Sequence, residues 1–183
     1  MFKKIVGGEV LQSRPDVKTI LRGFAGGFLG IIVLLLITRL YGVVSIMAPL
    51  GATCVLLFAV PKSPLAQPRN IIGGHLISTL IGLLTMNLFG DGMLPIAFAV
   101  GASIALMQLL RVVHAPAGAN PLLIIMSGMT NYSFLLTPVL IGSVLLVIIA
   151  LVINNIGIGT RWPCYWFGYQ LSISKRKIKS KKE

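Results

Sequence analysis

Hydrophobic positions occupy this chain in long runs, and polar positions are confined to short interruptions. Apolar runs cover residues 21–41, 43–60, 71–89, 94–113, 121–129 and 134–156. A bilayer core about 30 Å thick takes roughly 20 apolar residues per helix, so the longer runs read as spanning helices and the shorter ones sit near or below that limit. The interruptions have loop chemistry: "PKSPLAQPRN" at residues 61–70, "GDGM" at 90–93 and "TNYS" at 130–133. Ahead of the first run, "SRPD" predicts a helix start, with Ser13 as the cap, Pro15 in the first turn and Asp16 at the positive end of the dipole. Asn70 and Asn120 stand where caps of the following segments belong. Small residues four apart, at Gly23, Gly26, Gly27 and Gly30 and again at Gly74, Ser78 and Gly82, predict faces where helices approach closely.

The pattern repeats itself. "APLGA" at residues 48–52 and "APAGA" at 115–119 stand at one offset, and apolar runs follow both. The chain reads as an all-α membrane protein of about six hydrophobic helical segments in two three-helix units, residues 21–90 and 93–157. If the short segments span, each unit crosses an odd number of times and the second is inverted, as in secondary transporters whose substrate sites lie between the halves. Four spans plus two re-entrant segments are the alternative. Six spans put Lys62, Arg69, Arg111, Arg161 and both termini on the cytoplasmic side, which the positive-inside rule favours. Residues 1–20 then form a cytoplasmic amphipathic segment, 21–157 the transmembrane bundle, and 158–183 an aromatic interfacial belt, "RWPCYWFGYQ", with a basic cytoplasmic tail. The expected location is the inner or plasma membrane.

Composition narrows the function classes. Of 183 residues, 56% are hydrophobic and 11% charged, with mean hydropathy +0.92, which leaves no room for a separate soluble domain. Sixteen Lys and Arg against four Asp and Glu give a net charge of +12, but the cations crowd the ends. That placement fits membrane topology and anionic lipid headgroups, and not nucleic acid. Cys54 and Cys164 have no CxxC spacing, so no metal or disulfide framework is expected. No cofactor is expected. No HExxH, GxSxG or paired intramembrane carboxylate is present, which argues against an enzyme.

The candidate chemistry concentrates at the two proline-glycine stretches. Proline in a helix's first turn loses no hydrogen bond, and the free amides there, with the positive end of the dipole, form a ready anion site. Glu9, Asp16, Asp91 and Glu183 all fall outside the runs, whereas cation carriers usually keep a carboxylate in the membrane core. The candidate substrate-binding residues are Pro49, Gly51, Ala52, Thr53, His75, His114, Pro116, Gly118, Ala119 and Asn120, with Lys62, Arg69, Asn70 and Arg111 at the entrance. His75 and His114 are candidates for lining a path or relaying a proton.

Residues 48–82, including "SPLAQPRNIIGGH", and "HAPAGANPLL" at 114–123 resemble the two blocks of the HPP family of integral membrane proteins. Members of that family in cyanobacteria and chloroplasts are associated with nitrite transport, and four membrane helices are usually described. The resemblance implies a small-anion transporter, with nitrite as the substrate. One departure stands out: the family's His-Pro-Pro is His114-Ala115-Pro116 here. The alternative is a membrane scaffold or subunit that transports nothing. The glycine faces also fit a homo-oligomer, with a dimer as the simplest case.

Overall fold

A computed structural model describes residues 10–42, 44–156 and 161–166. It is all-helical, 74% helix, with six α-helices and no strand among the described residues. These are α1 (Val17–Tyr41), α2 (Ala48–Ala59), α3 (Pro68–Phe89), α4 (Met93–Leu109), α5 (Asn120–Met126) and α6 (Ile141–Ile153). A turn of 3₁₀ helix, Ala115–Ala119, precedes α5, and irregular helical turns over residues 132–140 lead into α6. Three stretches are long and apolar enough to cross a membrane: Val17–Tyr41, Pro68–Phe89 and Tyr132–Ile153. At 1.5 Å per residue the 12-residue α2 reaches only about 18 Å, well short of a bilayer core. Residues 1–9 and the basic stretch 172–183, with their assigned roles, lie outside the described residues.

Helix α3 is the centre. Half of its apolar window is buried against 17% for α1, whose Phe24, Phe28 and Leu35 point outward, as lipid-facing residues do. The reason lies in its small residues. A Cβ on Gly74 would stand 2.7 Å from the His114 Cβ and 3.0 Å from the Val112 carbonyl, and one on Gly82 would stand 3.0 Å from the Pro121 Cα. The Gly74–Gly82 stripe is therefore a groove that receives residues 112–124. Gly26 and Gly30 do the same for α1: added Cβ atoms would meet the Phe58 ring of α2 and, 3.1 Å away, Leu146 of α6. The main core, with Leu34, Leu50, Leu57, Ile71, Leu146 and Ala150, joins α1, α2, α3 and α6, and a smaller one, with Ile81, Ala99 and Ile125, joins α3, α4 and α5.

Several local expectations change. The cap of α1 is Asp16, not Ser13: its Oδ1 accepts from the Thr19 amide at 3.0 Å, and the Thr19 side chain and amide together hold the carboxyl below its usual range. Helix α3 begins at Pro68 behind Gln67, so Asn70 lies inside the first turn and caps nothing. Asn120 likewise opens α5 without capping it. The two proline-glycine stretches differ, since "APLGA" starts a regular α-helix whereas "APAGA" forms the 3₁₀ turn. Trp162, placed in an interfacial belt by sequence, is 5% exposed and joins the main core, while residues 167–170 of that belt lie outside the described residues.

Candidate functional site

Three polar side chains meet where α2, α3 and the 115–119 turn touch. Thr53 sits four residues past Pro49 on the inner face of α2, and its Oγ1 lies 3.1 Å from the Pro49 carbonyl. The same oxygen is 2.9 Å from His75 Nε2 of α3 and 2.9 Å from His114 Nε2. The two imidazoles stand edge to face, with centroids 4.9 Å apart. Asn120 closes the cluster from α5, its Nδ2 lying 3.1 Å from His75 Nδ1, 3.2 Å from the His75 carbonyl and 2.8 Å from Thr79 Oγ1. Thr53, His75, His114, Asn120 and Thr79 are all fully buried. The Gly74 groove makes this possible, because any larger residue would push His114 away.

The hydrogen bonds set the proton positions. His114 Nδ1 lies 2.7 Å from the Leu65 carbonyl, which only accepts, so this nitrogen donates and Nε2 is left to accept. Asn120 presents its amide nitrogen to a backbone carbonyl as well as to His75 Nδ1, so that ring nitrogen accepts and Nε2 donates. Thr53 then accepts from His75 and shares its one hydrogen between His114 Nε2, the nearer acceptor at 2.9 Å, and the Pro49 carbonyl at 3.1 Å. The donors run in one direction, from His75 through Thr53 to His114 and on to Leu65, within the Pro64–Ala66 turn. Asn120 Oδ1 is buried and has no hydrogen-bond partner. One acceptor is thus left over, and no carboxylate or fixed cation belongs to the cluster.

The remaining candidates take other places. Pro49 and Pro116 are buried, Ala52 and Ala119 are exposed, and Gly51 and Gly118 are half-buried with open space where a Cβ would be. Arg69 Nη2 donates to the Leu110 carbonyl at 3.0 Å, at the carboxyl end of α4 where a cation opposes the dipole. Arg111 holds φ 57 in the left-handed region. It sits at C′ of that helix, its amide bonding Gln108 O and the next amide bonding Met107 O, a Schellman pair. Asn70 ties α3 to the segment before the turn, donating to the Val113 carbonyl at 2.9 Å and accepting from Tyr165 Oη at 2.9 Å. Lys62 is exposed on the α2–α3 connection.

Three contributors escaped the sequence reading. Thr79 follows His75 by four residues on α3, a spacing that places both on one face. Gln67 is fully buried and clasps its own loop, donating to the Pro61 and Ser63 carbonyls while its Oε1 accepts from the Cys164 amide at 2.7 Å. Tyr165 has no sequence signal tying it to Asn70. Among the described residues no three His, Cys, Asp or Glu side chains gather as metal ligands do.

A family model described as "HPP, transmembrane region" matches residues 12–163. Two transmembrane proteins of Dictyostelium discoideum are similar. One is 32% identical over 177 residues, covering 91% of this chain and 57% of the relative. The other is 35% identical over 181 residues, covering 91% of this chain and 63% of the relative. The chain therefore spans about three-fifths of the length of these curated relatives. No solved structure matches it.

Proposed function

The chain belongs to the HPP transmembrane family, and from that premise we propose that it carries a small inorganic anion across the membrane together with a proton, at the Thr53–His75–His114–Asn120 junction. The observation that supports this most is the single threonine hydroxyl bridging two buried imidazoles where the two proline-glycine segments meet. The helix pairing also fits two related units: α1 packs on α2 and α6 as α4 packs on α5 and α3. In this reading the halves contribute differently. The amino end of α2, with no side-chain cap, offers the positive end of its dipole near Gly51. The second half offers side chains instead, since α5 is only seven residues long.

Proton coupling follows from the charges. An inside-negative potential opposes a lone anion by about 2.3 kcal/mol per 100 mV, and a proton moving with it cancels that term. A cluster without a fixed cation suits an anion that brings its proton, and the spare Asn120 Oδ1 would accept the O–H of such an acid. Nitrite is the substrate we favour, through the family resemblance. We place both termini and the Lys62, Arg69 and Arg111 ends on the cytoplasmic side, in a plasma or inner membrane, with a homodimer as the assembly.

The test is isotope-labelled nitrite uptake into proteoliposomes, measured above protein-free vesicles. Uptake should rise with an inward proton gradient and fall about tenfold or more in His75→Gln and in His114→Gln, the scale of a lost proton-transfer group. A second reading, a non-transporting scaffold, is favoured by the internal bonding of all but one group in the cluster, as a polar network that specifies a unique core would be. It predicts no uptake above protein-free vesicles.

A further inference from the structure

Near the amino-terminal end of α1, a cavity of about 280 Å³ lies between that helix and the α2–α3 connection, lined by Arg22, Ala59, Val60, Pro61, Lys62 and Ser63. Arg22 is six residues into α1, counting from Val17, about 8 Å from its start, the depth of the headgroup region rather than the acyl core. Its Nε is buried with no hydrogen-bond partner. The acidic group nearest in sequence, Asp16, feels the Arg22 charge but spends Oδ1 on the Thr19 amide. Ser63 Oγ accepts from the Leu65 amide at 3.2 Å, leaving its own hydrogen to donate.

We propose that this cavity binds the phosphodiester of an anionic phospholipid, with the Arg22 guanidinium and the Lys62 ammonium on its oxygens. A guanidinium fork and a flexible ammonium match phosphate oxygens in geometry and charge. The choice of a lipid over a free anion rests on the rest of the lining. Ala59, Val60 and Pro61 are apolar and suit the glycerol and first methylenes, for which a dissolved anion has no use. A lipid gains from both walls. The proposal is independent of transport, because binding needs no flux.

The test uses the full chain in detergent, delipidated and titrated with dioleoylphosphatidylglycerol, dioleoylphosphatidylcholine or inorganic phosphate, with bound lipid read by native mass spectrometry. The anionic lipid is expected to be retained and the zwitterionic one not, with retention weakening as salt rises. Arg22→Gln with Lys62→Gln should cut retention about tenfold or more, the scale of a lost charge-assisted hydrogen bond, whereas Arg14→Gln with Lys18→Gln should leave it unchanged. If the double variant does not purify, Lys62→Gln alone, on an exposed turn, must still lower retention severalfold. Equal retention by these Lys62 variants, equal retention of the zwitterionic lipid, or displacement by millimolar phosphate would each overturn the proposal.

Discussion

The two proline-glycine stretches share Ala, Pro, Gly and Ala at matched positions, yet they build different structures. Residues 48–52 open a 12-residue α-helix and project Thr53 inward, while residues 115–119 close a 3₁₀ turn between two buried polar side chains, His114 and Asn120. The difference lies in the flanks. Asn120-Pro121 restarts the helix after "APAGA", since proline is favoured in a first turn, whereas "APLGATCVLL" has no second proline to interrupt it. A shared motif therefore marks a shared place in the fold, and the chemistry is carried by the residues beside it.

Breaking the bridge between the two stretches should have the largest effect. Thr53→Val keeps the shape of the side chain and removes the hydroxyl, leaving a donor on His75 and an acceptor on His114 unpaired. We expect a stability loss of about 1–3 kcal/mol for each orphaned group, seen as a fall in melting temperature, and loss of nitrite uptake. Gly74→Ala comes next. Its methyl would press on the His114 Cβ, and overpacking of this kind costs about 1–3 kcal/mol. In thermal unfolding the loss should shrink when His114 is replaced by Gly in the same chain, because glycine removes the Cβ that contends for the space.

Leucine at Gly51 or at Gly118 sharpens the comparison from the other side. Both positions face open space, so each variant should fold with a stability change under about 1 kcal/mol. If the amino end of α2 carries the anion, Gly51→Leu lowers uptake and Gly118→Leu leaves it near normal; equal effects would return the site to a symmetric pair of helix mouths. The smallest effect is expected at Arg111→Gly, which relieves a left-handed residue but gives up a cation at a helix end. Those terms, each about 1 kcal/mol, nearly cancel, so the melting temperature should move by a few degrees at most.

Much of this was legible in the sequence. The apolar runs locate all six helices, and the glycine spacing on α1 and α3 marks the faces that pack. Histidine and asparagine at the ends of apolar runs point to the right cluster, because burying them in a membrane protein requires partners. What the sequence does not reveal is which partner each one takes. Asn70 and Asn120 carry every local sign of a cap, yet both reach across to other segments, since a part-buried carbonyl 43 residues away competes for Asn70 as well as its own helix does. Thr53 resembles any small residue on a helix face until two imidazoles converge on it. Gln67 and Tyr165 have long-range partners that no periodicity encodes.

The most direct test sets Thr53→Ser beside Thr53→Val in proteoliposomes holding a pH-sensitive dye, with a nitrite gradient imposed and protein-free vesicles subtracted. Serine keeps the bridging hydroxyl, so the account predicts acidification of the lumen with nitrite influx in the wild type and Thr53→Ser, and neither in folded Thr53→Val. Nitrite influx and acidification that persist unchanged in folded Thr53→Val would contradict it.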